Sequence, residues 1–273
     1  MNSSVWLVAG EQSAPDYLAR QRRLQMNSII QEIYQGKRVV DKNGTIHELK
    51  SSVDPTEGKF LFEIIRKDAG IKKTLEIGCA HGLSSLHICE ALKDRTGVLH
   101  TIIDPFQNTL WGGIGVTNLR RNGVGFFQLI EERSEFALPR LCQEGEERFD
   151  LIFIDGFHTF DHTLVDCFFA TRLLRIGGYL VVDDVSWQAV GRCMRYIANY
   201  PCYRVHGAIT RHKPQTWKRQ LAKSLRWMMP ESVAGKVLSA KLIERVWHDT
   251  ETMMIALKKV SKDERDWMWY ADF

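Results

Sequence analysis

The sequence predicts an α/β fold built on a seven-stranded, mostly parallel sheet with helices on both faces. Short apolar runs alternate with helical segments from residue 72 to about 210, the rhythm of repeated βαβ units. The runs are continuously apolar, as strands buried on both faces are, and do not alternate with polar residues. Residues 74–82 pass from one such run through a glycine-bearing loop into a helical stretch.

Taken in order, residues 12–35 predict a helix on the apolar positions Leu24, Ile29, Ile30 and Ile33, stopped at Gly36. Asn43-Gly44 between two β-prone runs predicts a small hairpin over 38–46. A second helix is expected over 55–69, opened by Pro55 and closed by Gly70. Five strands follow at 74–77, 98–103, 127–130, 151–154 and 179–182, with helices near 83–93, 134–143, 161–174 and 187–199. Two late strands, 203–209 and 252–257, bracket a basic segment. The expected organisation is an N-terminal cap of helices and hairpin over 1–70 and a main domain over 71–273, with a basic helical insertion at 211–247 between the last two strands.

Composition bounds the function. The chain has 273 residues, 44% of them apolar, enough for one good-sized core. Six scattered cysteines without a CxxC pair suit a reducing compartment, and a cytoplasmic location is expected because no leader-like or membrane-spanning apolar run occurs. Net charge is only +4, but 211–245 holds nine Lys/Arg against two Asp/Glu, which leaves a slightly acidic body. Trp217, Leu221, Leu225 and Met228 recur there at helical spacing. An apolar stripe packed on the domain is the plainest reading. A substrate lid, a contact between copies in a homo-oligomer, and an anionic or peripheral membrane contact stay open. No stable nucleic-acid complex is expected.

The glycine loop is Glu76-Ile77-Gly78-Cys79-Ala80-His81-Gly82. Two glycines four apart let the backbone turn tightly and approach a ligand at a helix N-terminus. A dinucleotide site would need GxGxxG; Ala80 stands at its second glycine, which disfavours a nicotinamide-dependent oxidoreductase. Asp104 ends the next strand, where an acid can accept hydrogen bonds from ribose hydroxyls. These residues resemble the cofactor motifs of class I S-adenosylmethionine-dependent methyltransferases, a Rossmann-like family, over roughly residues 55–210 and the last strand. The resemblance implies that Glu76, Gly78, Cys79, Ala80, His81 and Gly82 pass the methionine part of S-adenosylmethionine, that Asp104 holds the ribose, and that Ser134 lies beside the adenine.

Asp155 closes the fourth strand of the main domain and Asp183-Asp184 the fifth. Adjacent parallel strands would bring these carboxylates together, where they repel unless a hard divalent cation such as Mg²⁺ neutralises them. Helix capping is the alternative for the aspartates. Their spacing is similar to the metal site of cation-dependent O-methyltransferases of the catechol and macrolide-sugar types. That resemblance gives Asp155, Asp183 and Asp184 to the metal and makes His158, three residues after Asp155, the general base. A capping or packing histidine is the plain alternative for His158, and His162 reads as an ordinary helix residue. The loop 105–118, with Trp111 and several glycines, reads as a wall or lid, or as an aromatic anchor for a long loop.

The expected activity is methyl transfer to a hydroxyl of a small acceptor, a sugar or glycosylated metabolite. Metal-independent or nucleic-acid-directed methyl transfer is the alternative. Against the latter, no Asn/Asp-Pro-Pro-aromatic motif for amino-group methylation is present, and no Pro-Cys nucleophile for a pyrimidine carbon is expected.

Overall fold

The structure is a computed structural model and describes residues 28–50, 52–212 and 250–272. Its first elements are α1 (Ser28–Gly36), the antiparallel pair β1 (Arg38–Val40) and β2 (Ile46–Glu48), and α2 (Pro55–Lys67). There follow β3 (Lys73–Ile77), α3 (Leu83–Leu92), β4 (Leu99–Ile103), α4 (Ile114–Arg121), β5 (Phe127–Ile130) and α5 (Ser134–Gln143). The second half comprises β6 (Phe149–Ile154), α6 (Phe160–Leu173), β7 (Leu174–Val182), α7 (Gln188–Ala198), β8 (Tyr203–His212) and β9 (Thr250–Lys259).

Seven strands form one sheet in the order β5-β4-β3-β6-β7-β9-β8, parallel up to β7 and antiparallel at β9 and β8. The predicted α/β class, hairpin and strands are all present. The order reverses between β3 and β6, the place where open α/β sheets leave a crevice at their carboxyl ends. Helix α5 covers the residues expected for it. One element differs from expectation. Residues 114–121 are helical, because Gly112 and Gly113 take left-handed backbone at φ 58° and 71° and start α4 inside what reads as a glycine-rich loop.

Side chains of the sheet divide between two buried layers. One holds Leu86, Ile88, Leu92, Ile102, Leu151, Phe153 and Val181, and the same cluster takes in Ile30, Ile33, Leu61 and Ile65 from α1 and α2. The other holds Leu75, Ile77, Ile103, Ile152, Leu180 and Val182 against α5, α6 and α7. Burial of such side chains, each worth about 1.5–3 kcal/mol, is the main stabilising term. Asp54 caps α2 by accepting from Thr56 N and Glu57 N at 2.7 and 2.9 Å, while Glu57 Oε2 accepts from Asp54 N at 2.7 Å. That reciprocal box fixes the helix start and holds the Glu57 carboxyl in place.

Most of the predicted helix 12–35 and nearly all of the basic insertion 211–247 lie outside the described residues. No helix among the described residues is long and apolar enough to cross a membrane.

Lys259, 3% exposed at the end of β9, donates from Nζ to Thr171 O at 2.9 Å and Leu174 O at 2.6 Å, with Glu147 Oε1 at 3.4 Å. It joins the last strand to the end of α6. Lys259→Met would leave two buried carbonyls without a donor, so denaturant unfolding should show a loss of about 1–3 kcal/mol.

Candidate active site

The loop leaving β3 is set by one missing side chain and one carboxylate. Gly78 has φ 86°, and a Cβ there would lie 2.0 Å from the Asp155 carbonyl oxygen, so only glycine lets β3 and β6 end side by side. Gly82, at φ 80°, lets α4 approach through Gly115. Asp104, 2% exposed, accepts through Oδ2 from Cys79 N at 3.0 Å, Ala80 N at 2.9 Å and Gln107 Nε2 at 2.9 Å. Gln107 Nε2 also reaches Ala80 O at 2.8 Å. Ala80 is thereby held at φ 45°, an unusual conformation for a residue with a Cβ. Among the described residues Asp104 Oδ1 accepts only from Phe106 N, at 2.9 Å, and a carboxylate oxygen has two lone pairs, so these residues leave one acceptor position beside the loop.

The other members of the expected cofactor set lie at different depths. Glu76 is wholly enclosed, not on the open edge. Its Oε2 accepts from Ser85 and lies 3.0 Å from His100 Nε2, while Oε1 has no hydrogen-bond partner among the described residues. It sits on a strand inside the sheet and acts on the loop from behind. Cys79 and His81 are buried as well. The His81 ring packs edge-on against Trp111 at 5.2 Å and its Nδ1 accepts from Lys50 N at 3.3 Å, so Trp111 anchors the loop against this histidine. Burial holds His81 below the usual imidazole range. Ser134 opens α5 and is 8% exposed, next to Asp166 of α6. Burial pushes Asp166 up to about 6 against the pull of the Ser134 hydroxyl, and its Oδ1 is unpartnered among the described residues.

Beyond β6 and β7 stands the charged cluster. One ligand atom from each of Asp155, His158 and Asp184 falls within 4.8 Å of the others. His158 Nε2 is 2.8 Å from Asp184 Oδ2 and 3.5 Å from Asp155 Oδ1, as ion-pair contacts without hydrogen-bond alignment. His158 thus joins two of the three expected carboxylates, and the third, Asp183, neighbours them. Asp183 is 7% exposed, continues the β6–β7 ladder by donating to Ile154 O at 3.0 Å, and accepts from Asp184 N at 2.9 Å. Successive strand residues point to opposite sides, and Asp184 leaves the strand at φ 53°. The turn swings Asp184 to His158 and leaves Asp183 below.

Electrostatics tie a further residue to the cluster. Burial raises Asp155 and Asp183 above the ordinary carboxylate range, and repulsion from neighbouring carboxylates adds to it. Glu57 of α2 is pushed up to about 7 by burial and by the charges of Asp184 and Asp155. Arg211 pairs with Asp54 and lies 3.7 Å from Glu57. The Asp54-x-x-Glu57 capping box is visible in the sequence, but its proximity to residues a hundred positions away is not. Trp187, 56% exposed, lies over the His158 ring at 4.8 Å and 30°; sequence reading passed over it.

Crowded carboxylates whose charged forms are disfavoured suit a hard divalent cation, and Asp155 and Asp184 present oxygens on one side. The donor set therefore fits the metal that the sequence resemblance implies. Cys202, after Pro201, makes the Pro-Cys pair of carbon-directed pyrimidine methylation, but it is 1% exposed and burial pushes its thiol up to about 11. Such a thiol is inert.

The match to known families falls on this region. The family model for a methyltransferase domain matches residues 75–185. That match covers about two-fifths of the chain. It includes the glycine loop, Asp104, Ser134 and the Asp155–Asp184 cluster. The chain is similar to a catechol O-methyltransferase of Niastella koreensis, 31% identical over 137 residues, which are 49% of this chain and 58% of that protein. A probable caffeoyl-CoA O-methyltransferase of Dictyostelium discoideum is 30% identical over 45% of this chain and 52% of its own. The chain thus spans between half and three-fifths of the length of these relatives. Among solved structures, an O-methyltransferase from Bacillus cereus in complex with S-adenosylhomocysteine matches with a TM-score of 0.58 at 19% identity, over 90% of this chain and 98% of that one. An O-methyltransferase from Streptomyces achromogenes involved in tomaymycin synthesis, in complex with S-adenosylmethionine, gives 0.58 at 17% identity over 90% and 96%. The likeness to these structures shows a shared Rossmann-like fold. The motifs and the matches agree on class I, S-adenosylmethionine-dependent O-methyltransferases as the group this chain resembles.

His158 carries the clearest pH signature. Contact with Asp155 and then Asp184 raises it from 6.5 to about 10. Because the folded value is the higher one, its contribution to stability is complete below pH 6.5 and is lost as pH rises through about 10. In the metal-free chain, NMR titration should find the His158 imidazole still charged at pH 8, and Asp184→Asn should bring its titration down toward the ordinary value.

Proposed function

We propose that this chain transfers the methyl group of S-adenosylmethionine to a hydroxyl oxygen of a small acceptor that presents two neighbouring oxygens, a sugar or glycosylated metabolite. The observation that carries this reading is the convergence of Asp155, His158 and Asp184 at the carboxyl edge of the sheet, one strand from the glycine loop that Asp104 braces. In this reading Gly78 to Gly82 and the free acceptor position of Asp104 receive the methionine and ribose parts of the cofactor, and Ser134 borders the adenine. Glu76 supports the loop from within.

Asp155, Asp183 and Asp184 would hold a divalent cation, Mg²⁺ being the simplest choice. Such a cation lowers the pKa of a bound hydroxyl and fixes its orientation. His158 is the proton acceptor. Imidazolium held by two carboxylates cannot accept a proton; once those carboxylates are engaged elsewhere, the cause of its raised pKa is gone and Nε2 can take the hydroxyl proton. Trp187 offers a flat apolar surface over that ring. It also favours a second acceptor class, a catechol-like phenol, whose ring would stack there.

Calorimetric titration with S-adenosylhomocysteine, first in EDTA and then with Mg²⁺ plus vicinal-diol sugars or catechols, tests the scheme. The expected result is cofactor-product binding in both conditions and an acceptor response only with Mg²⁺; an acceptor response in EDTA would return the aspartates to capping. Absence of S-adenosylhomocysteine binding would overturn the activity itself. His158→Ala should lower kcat by on the order of 10²–10⁴ while leaving S-adenosylhomocysteine affinity unchanged.

A further inference from the structure

On the other side of the domain, a groove of about 530 Å³ runs between α4 and the edge strand β5. Val116, Phe127 and Leu129 line it half-buried, at a sheet edge where β5 pairs with no further strand among the described residues. Lys42 from the hairpin tip and Arg120 of α4 both line it and are exposed. Neither pairs with a carboxylate among the described residues. Lys42 Nζ reaches only the amide oxygen of Asn108 at 3.4 Å, and neighbouring Arg121, not Arg120, takes Glu32.

The polar lining is built rather than incidental. Asn108 is fixed by donating from N and Nδ2 to Glu131 at 2.8 and 2.7 Å, which occupies that carboxylate and turns the amide oxygen toward Lys42. Lys42 N donates to Gly112 O at 3.3 Å, which ties the hairpin tip to the loop before α4. The volume is in the range of sites for drug-sized ligands, about 300–1,000 Å³. Two strands, β4 and β3, separate β5 from β6, so at roughly 4.8 Å per strand the groove is about 14 Å across the sheet from the acidic cluster.

We propose that this groove is a second ligand site, which binds a soluble anionic amphiphile: a carboxylate with an aromatic or medium-chain apolar body. The apolar side chains take the body, and Lys42 and Arg120 take the anion. A cationic or neutral apolar molecule would leave both cations without a partner. The loop that walls the groove also carries Asp104 and Gln107, so an occupant would touch the segment that braces the glycine loop.

The test uses the full chain and the fluorescent probe 8-anilinonaphthalene-1-sulfonate, an anion with an apolar body. Saturable binding of one probe per chain is expected, retained at saturating S-adenosylhomocysteine, displaced by monomeric decanoate and not by decyltrimethylammonium. The double variant Lys42→Glu, Arg120→Glu should bind the probe at least tenfold more weakly at an unchanged Tm. If charge reversal lowers Tm, Val116→Trp, which fills the groove and keeps its charges, should weaken the probe to a similar degree. Displacement by S-adenosylhomocysteine, equal displacement by the cationic amphiphile, or undiminished binding in both variants would overturn the proposal. So would binding of the parent chain to phosphatidylglycerol vesicles without any competition from decanoate.

Discussion

The Asp104 carboxylate, accepting from the N–H groups of Cys79 and Ala80, joins the end of β4 to the loop leaving β3. Much of the site depends on this contact. Without it, those N–H donors would lose the acceptor they have in a buried turn, and unpaired buried N–H groups are costly. With it, Ala80 is kept in left-handed backbone, α3 starts where it does, and Gln107 closes the arrangement from the following loop. An acid expected to serve a ligand is therefore first a structural brace.

Gly78 adds the matching constraint from the other neighbour. Its missing Cβ admits the Asp155 backbone, so the chain that carries the acidic cluster runs hard against the chain that carries the glycine loop. The two halves of the candidate site are thus set by backbone contacts, which are stiff, and not by flexible side chains. Bringing Asp155, Asp183 and Glu57 close to one another and to Asp184 destabilises the charged forms of those three. His158 offsets part of that repulsion in the structure as it stands. Sites that bind cations commonly store unfavourable charge in this way, since the fold tolerates locally what the ligand later relieves.

The N-terminal segment takes part in this arrangement. Its helices contribute Ile30, Ile33, Leu61 and Ile65 to the core under the sheet, and its capping box points Glu57 toward the acidic cluster. Arg211, at the far end of β8, meets the same box. A residue that caps a helix can hence also shape the electrostatics of a site, because both roles need a carboxyl held in one place.

The sequence by itself determined the α/β class, the strands, most helices and the places of Gly78, Asp104, Asp155 and His158, because these depend on local periodicity and on residue types that suit particular backbone conformations. Helix α4 escaped it, since left-handed Gly112 and Gly113 can either continue a loop or start a helix, and only packing of Gly115 against Gly82 selects the helix. Tertiary structure alone decided that Glu76 is enclosed, that Asp184 and His158 meet while Asp183 is turned under, and that Glu57 and Trp187 reach the cluster. Those outcomes rest on which face a side chain takes and on contacts between residues far apart in the chain. A one-residue turn such as that at Asp184 reverses the first, and only the folded sheet creates the second.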